Sequence, residues 1–169
     1  MVDAFIQQNK LAAGSRVDLM KSGVGVAGRV GAAKQDIGSS EALKKTLLAA
    51  KSIGYSSGPS GDYVLTLVGK LGIAEQVKAK MKQVAPGARI GTMLESGEVE
   101  IGFQQISELI HEKGIVYLGP LPADIQKITL FAAGIHVGAR QPEATKSLIE
   151  ALKSPEAATA IKAQGMEPG

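Results

Sequence analysis

The hydrophobic positions along this chain switch repeatedly between the two periods of regular secondary structure. Val99, Ile101 and Phe103 alternate with polar or small residues, which is the period-two pattern of a strand. From Tyr63 to Leu71 the apolar residues instead recur every three to four positions, as they do on one face of a helix. Because strands and helices alternate in this way along the chain, the pattern predicts an α/β fold with a mostly parallel sheet.

The same periods, together with glycine, proline and serine at the breaks, predict the other elements. Further strands are expected at residues 24–30, 115–118 and 127–137. Helices are expected at about residues 2–11, 40–50, 73–84, 88–95, 107–113, 142–152 and 155–164.

The stretch from residue 51 to 62 predicts a short strand, a loop of small residues and a helix that begins near Gly61. The start of a helix has backbone N–H groups without partners and a partial positive charge, so it suits an anion. The hydroxyl groups and the accessible backbone of this loop belong to Ser56, Ser57, Ser60, Gly58 and Gly61. An alternative is an ordinary strand-to-helix loop in which Ser60 only caps the helix.

Composition excludes several classes of function. The 19 basic and 16 acidic residues give a net charge of only +3, and 4% aromatic residues with no Trp argue against nucleic-acid binding. The absence of Cys excludes disulfides and thiolate chemistry, and two distant histidines argue against a metal site. We expect no cofactor. Residues 1–10 lack the pattern of a signal peptide, so this chain as written is not expected to be addressed for export.

One motif supports an enzyme as the alternative. Gly54-Tyr55-Ser56-Ser57-Gly58 matches the G-x-S-x-G elbow of α/β-hydrolases, and Asp124 and His136 follow in the order of a catalytic triad. Against this interpretation, too few strands precede the elbow, and His136 lies within an extended apolar run. The glycines of residues 23–28 also match G-x-G-x-x-G, but they lie inside a predicted strand, which disfavours a dinucleotide site.

Three blocks of sequence carry a resemblance to a known family. These are YSSGPSGDYVLTLVGKLG at residues 55–72, MLESGEVEIGF at 93–103 and SPEAATAIKAQG at 154–165. Together they resemble the type II periplasmic binding proteins, and more specifically the molybdate-type substrate-binding proteins of ABC importers. The resemblance implies two α/β lobes that are joined by crossing hinge strands and close on a small anion without catalysis. It also implies a periplasmic location and a membrane permease as partner.

The resemblance assigns residues 1–30 to the remnant of a first lobe with one hinge strand, and residues 31–122 to the second lobe. Residues 123–169 become the return hinge strand and the C-terminal helices of the first lobe. The family's N-terminal third has no counterpart in this chain, so the first lobe is expected to be incomplete. An incomplete lobe exposes apolar surface, and we therefore expect self-association.

The resemblance also implies a set of ligand-binding residues, which are Ser57, Gly58, Ser60, Gly61, Gly87, Ala88 and Gln105. Residues 59–61 match the family's Pro-Ala-Gly helix start, and Gly87 and Ala88 match a second helix start. Gln105 stands where molybdate proteins have Tyr, although its amide can still donate a hydrogen bond. The expected ligand is therefore either a molybdate-like oxyanion or a small organic acid. Arg89 either favours a carboxylate or is a solvated surface residue.

Overall fold

The computed structural model describes residues 1–32 and 35–169, which form two compact units. One unit comprises Met1–Ser22 with Leu130–Gly169, and the other comprises Gly23–Thr129. The unit boundaries differ from the predicted lobe boundaries, because the strand predicted at residues 24–30 belongs to the second unit. The crossing of hinge strands between lobes stays a prediction.

Short helices and strands are interspersed along the described residues. The helices are α1 (Val2–Gln7), α2 (Ser40–Ala49), α3 (Pro59–Lys70), α4 (Ala74–Val77), α5 (Ile90–Glu95), α6 (Ile106–Leu109), α7 (Pro142–Ala151) and α8 (Pro155–Ala163). The strands are β1 (Val17–Ser22), β2 (Val24–Arg29), β3 (Ile53–Tyr55), β4 (Met81–Gln83), β5 (Ile101–Gln105), β6 (Ile115–Pro120), β7 (Thr129–Ala133) and β8 (Glu167–Pro168). Short 3-10 turns follow α4 and β6, at Lys78–Lys80 and Ala123–Ile125.

The second unit is built on a five-stranded sheet in the order β4-β3-β5-β2-β6. β3 runs parallel to both β4 and β5, whereas β2 runs antiparallel to both β5 and β6. The sheet is therefore mixed, and the expectation of a mostly parallel sheet is wrong. The pattern of apolar residues shows which segments are strands, but the long connections decide their direction.

Helices cover both faces of this sheet. Successive residues of a strand point to opposite sides, so each face presents its own set of side chains. Phe103 joins a buried cluster with residues of α2 and α3 such as Leu43 and Leu67. Its neighbour Gly102 faces the other way, where a side chain would collide with Ile90 of α5. Ile90 belongs to a second buried cluster. The glycine in this strand therefore allows α5 to pack directly on the sheet.

The prediction of one helix over residues 73–84 is wrong. The chain forms only the short helix α4 there, then a 3-10 turn and the edge strand β4. Met81 pairs with Ile53 of β3, and the Nζ atom of Lys80 donates to Leu48 O at 2.7 Å and to Ala50 O at 2.8 Å. These tertiary contacts close the C-terminal end of α2 and replace the hydrogen bonds of the predicted helix.

The first unit contains a three-stranded sheet in the order β7-β1-β8, in which β1 and β8 are antiparallel. Two of its helices begin as predicted, with Pro142 at the first position of α7 and Ser154 as the cap of α8. The Ser154 hydroxyl accepts a hydrogen bond from Ala157 N at 3.2 Å. β1 and β8 were not predicted. None of the helices in the described part of the chain has the length and apolar character that crossing a bilayer requires.

Candidate anion-binding site

The strands of the second unit bring several loops to one edge of its sheet. Tyr55, at the end of β3, pairs with Phe103 near the end of β5, and Gln105 at that end pairs with Val24 at the start of β2. β6 also ends at this edge, since Gly25 pairs with Pro120. We call this edge the carboxyl edge. In open α/β sheets ligands bind beyond the carboxyl ends of the strands, so a ligand site is expected in the loops at this edge.

The loop from β3 to α3 contains a buried pair of serines. The Oγ atoms of Ser56 and Ser60 lie 2.8 Å apart, and both residues are almost fully buried. The backbone N–H of Ser56 donates to Phe103 O at 3.2 Å, which fixes the loop to the end of β5. Two hydroxyl groups carry two protons, and only one of these protons can lie between the two oxygens. The pair can therefore direct its other proton to a further acceptor.

The helix α3 begins at Pro59, two residues earlier than predicted. Since proline has no N–H, the first backbone donor of this twelve-residue helix is Ser60. The N–H groups of Gly61 and Asp62 donate to Gly58 O at 2.9 and 3.1 Å. The positive end of the helix therefore points to the serine loop, with the Ser60 N–H as its leading donor.

The two glycines of the loop have different roles. A Cβ atom at Gly61 would lie 2.6 Å from the carbonyl carbon of Ser56, and closer still to its oxygen. Only glycine therefore allows the helix start to pack this tightly on the loop. At Gly58 a Cβ would meet nothing within 4 Å, and Ser57 beside it is exposed. The structure thus brings Ser57, Gly58, Ser60 and Gly61 into one loop with an open approach, while their contact with a ligand stays a prediction.

Gly87 and Ala88 lie in the exposed segment between β4 and α5. Val84 at its beginning donates its N–H to Tyr55 O at 2.9 Å, so the segment starts at the carboxyl edge. The Ala88 N–H donates to Ala85 O at 3.0 Å, within a turn that places Gly87 at a φ of 79°. The second helix start does not lie at these two residues, because α5 begins at Ile90.

Two consecutive glutamines end β5, and both are almost fully buried. The Oε1 atom of Gln104 accepts a hydrogen bond from Ile90 N at 2.9 Å and so caps α5. The Nε2 atom of Gln105 donates to Thr129 Oγ1 at 2.8 Å. Gln105 was predicted from the sequence, whereas Gln104 was not. Gln104 has the same parity as Glu98, Glu100 and Gly102, so the alternation of the strand gave no sign that it is buried.

The segment after β6 is also fixed at this edge, by residues that sequence analysis missed. Gln126 binds the backbone of Val24 with both ends of its amide, accepting from N at 2.8 Å and donating to O at 3.0 Å. The hydroxyl of Tyr63 on α3 donates to Ile125 O at 2.8 Å. Burial, and secondarily the nearby carboxylate of Asp124, raise the pKa of Tyr63, so its hydroxyl remains a donor at neutral pH.

One ion pair lies beside α5. Nη1 of Arg89 is 3.3 Å from Oε2 of Glu112. The Arg89 side chain is 70% exposed, whereas that of Glu112 is only 16% exposed. The cation therefore faces solvent while its partner is held against the protein.

The hydrolase alternative gains no support from the structure. The partner of the Ser56 hydroxyl is Ser60, not an imidazole. His136 belongs to the first unit, and its Nδ1 atom accepts a hydrogen bond from Gly138 N at 3.0 Å. In a catalytic triad that nitrogen instead donates its proton to a carboxylate. Neither residue therefore has the hydrogen bond that the triad requires.

Comparison with known proteins identifies the family. The model of the bacterial extracellular solute-binding protein family matches residues 1–167. The chain belongs to this family. Its resemblance to molybdate-type substrate-binding proteins of ABC importers, predicted from three blocks of sequence, is confirmed at the level of family and fold.

Two curated relatives of the chain have different names. An aconitate isomerase from a Pseudomonas species is 35% identical over 168 residues, which cover 99% of this chain and 64% of that protein. A molybdate-binding protein from Azotobacter vinelandii is 28% identical over 127 residues, which cover 73% of this chain and 50% of that protein. The chain thus spans between half and two thirds of the length of these relatives.

A solved structure confirms the predicted α/β fold of the periplasmic binding proteins. The periplasmic molybdate-binding protein of Azotobacter vinelandii superposes with a TM-score of 0.76 at 18% identity. The match covers 98% of this chain and 73% of that one. At this identity the likeness establishes the fold, and the ligand has to be argued from this chain's own residues.

Proposed function

We propose that this chain binds a small anion at the carboxyl edge of its second unit, as the solute-binding component of an ABC-type importer. The observation that carries the proposal is the serine loop at the start of α3. There the paired hydroxyls of Ser56 and Ser60 meet the positive end of a twelve-residue helix. The ligand is a molybdate-like oxyanion or a small organic acid.

Neutral donors hold the anion in this proposal. The hydroxyl of Ser57 and the hydroxyl and N–H of Ser60 donate to it, and Gly58 and Gly61 leave the backbone accessible. Gln105 lies at the end of the neighbouring strand with its amide oriented by Thr129, while Gly87 and Ala88 form the exposed rim. Hydrogen bonds to an ionised acceptor are about twice as strong as neutral ones, so a few of them offset the loss of water around a small anion.

Family membership supports the partner and the location. We assign a membrane permease as the partner and the periplasm as the place of action, because the family is one of extracellular solute-binding proteins.

We also propose that copies of the chain associate through β7. This strand lies at the edge of its sheet, and Leu130 and Phe131 are 44% and 40% exposed. Consecutive residues point to opposite faces, so apolar side chains are exposed on both sides of the strand. Residues 128–135 include no charged residue. Edge strands without protective charges readily pair with another chain, and a second copy offers the same self-complementary edge.

A second candidate function is isomerisation of aconitate. The identity of 35% to an aconitate isomerase, over 99% of this chain, favours it. In this case the ligand of the serine loop is a tricarboxylic acid that is converted as well as bound. Incubation of the chain with cis-aconitate, followed by chromatography of the products, separates the two candidates. Formation of trans-aconitate supports the isomerase, and binding without conversion supports a solute-binding protein alone.

Isothermal titration calorimetry with molybdate, sulfate and propane-1,2,3-tricarboxylate tests anion binding. Ser60→Ala removes one hydroxyl of the pair, and we expect affinity to fall by several-fold to about tenfold. The control is Ser147→Ala, since that exposed serine on α7 donates to Glu143 O of its own helix at 3.1 Å. The proposal fails if no anion binds, or if Ser60→Ala remains folded and binds as tightly as the unmodified chain.

A further inference from the structure

We propose that Arg89 selects ligands that carry a carboxylate in addition to the anionic group held by the serine loop. The inference deepens the proposed anion binding and depends on it. It makes the ligand an organic acid with at least two acidic groups, rather than a compact oxyanion.

The first observation is that most of the Arg89 guanidinium group is available. The group has five N–H donors in a planar fork. One of its nitrogens, Nη1, lies 3.3 Å from Oε2 of Glu112. The side chain is 70% exposed. The residues before it, Pro86, Gly87 and Ala88, are small and exposed, so they leave the approach open.

The second observation is that Glu112 is built into the protein and can orient the arginine. A Cβ atom at Gly91 would lie 2.7 Å from the Glu112 carboxyl carbon and 2.8 Å from its Oε1 atom. The carboxylate therefore rests on the first turn of α5, where only glycine leaves room for it. Because it is the less exposed partner, it anchors one side of the guanidinium group and leaves the other side for a ligand carboxylate.

The third observation places Arg89 at the same strand end as the serine loop. Ser56 N donates to Phe103 O at 3.2 Å, and Ile90 N donates to the Gln104 side chain at 2.9 Å. Ser56 and Ile90 are thus attached to consecutive residues of β5, and Ser57 and Arg89 are their neighbours in the chain. The serine loop and Arg89 are therefore both attached near the carboxyl end of β5, and in the proposal one organic acid with two separated carboxylates contacts both.

The experiment compares two ligands on matched variants by calorimetry in low salt. Propane-1,2,3-tricarboxylate has several carboxylates, and molybdate has none. For Arg89→Gln we expect tricarboxylate affinity to fall about tenfold or more, because a charge-assisted bidentate contact is lost, and molybdate affinity to change less than about twofold. Arg89→Lys should also bind the tricarboxylate less tightly, since a lysine cannot make the bidentate contact. The control, Arg140→Gln, removes an exposed arginine of the first unit and should leave both affinities unchanged.

The outcomes separate this inference from the proposed function. If Arg89→Gln binds the tricarboxylate as tightly as the unmodified chain while Ser60→Ala does not, the inference is overturned and the serine-loop site stands. Binding of molybdate without any binding of the tricarboxylate overturns the inference as well. If neither anion binds the unmodified chain, both proposals fail.

Discussion

The tight packing at Gly61 gives a prediction with an internal control in the same helix. In Gly61→Ala the new Cβ would start 2.6 Å from the Ser56 carbonyl carbon, whereas ordinary contact begins at 3.4 Å. The obstacle is backbone, so the start of α3 and the serine loop must separate by at least about 0.8 Å. Overpacking of this kind costs about 1–3 kcal/mol, and in this loop the paired serine hydroxyls are also pulled apart. We expect a net loss of about 2 kcal/mol in the free energy of unfolding.

The matched change is Gly69→Ala, near the other end of α3. Gly69 is exposed, and a Cβ there would meet nothing within 4 Å. Alanine should therefore stabilise the helix by about 0.5–1 kcal/mol, through its lower conformational entropy in the unfolded chain. Urea unfolding followed by circular dichroism should move the two midpoints in opposite directions. If Gly61→Ala unfolds at the same urea concentration as the unmodified chain, the proposed steric role of this glycine is wrong.

Three further predictions concern stability and assembly. Lys80→Met should lower the free energy of unfolding by about 1–2 kcal/mol, because two carbonyl groups at the end of α2 lose a charged donor. Urea unfolding measures this change, and an unchanged midpoint would contradict the prediction. Because the pKa of Tyr63 is raised in the folded chain, its neutral hydroxyl contributes fully to stability at pH values below the ordinary pKa of about 10. This contribution is lost as the pH rises through the raised pKa. Thermal unfolding should therefore show the unmodified chain losing more stability than Tyr63→Phe above about pH 10, and parallel curves would refute the assignment. In light scattering after size-exclusion chromatography, Leu130→Lys should lower the mass of any oligomer, whereas Val116→Lys, at an equally exposed (44%) residue of another edge strand, should not.

Local patterns predicted the elements that are held by local interactions. The Ser39 hydroxyl accepts from Ala42 N at 3.1 Å, as the helix start predicted there requires, and Phe103 is buried in a strand as its alternation indicated. β4 was mistaken for a helix because Val77 and Met81 have helical spacing, and only pairing with β3 makes Met81 part of a strand. β8 is two residues long and depends entirely on β1, so its own sequence carries no strand pattern.

In the candidate site, too, only the contacts between residues close in sequence were predictable. The serine loop lies within one continuous stretch of sequence, and its residues are found together. The cap that Gln104 provides for Ile90 and the clamp of Gln126 on Val24 join residues that are 14 and 102 positions apart. Such contacts depend on how the strands are ordered in the sheet, which sequence periodicity alone does not determine.

The most direct test of anion binding at the carboxyl edge is a titration followed by ¹H–¹⁵N correlation spectra, with propane-1,2,3-tricarboxylate and molybdate as separate ligands. If the account is right, the amide signals of Ser57, Gly58, Ser60 and Gly61 shift and saturate together, while those of α7 and α8 remain in place. Saturable shifts confined to α7, α8 or other residues away from this edge would contradict it, as would the absence of any saturable shift with both anions.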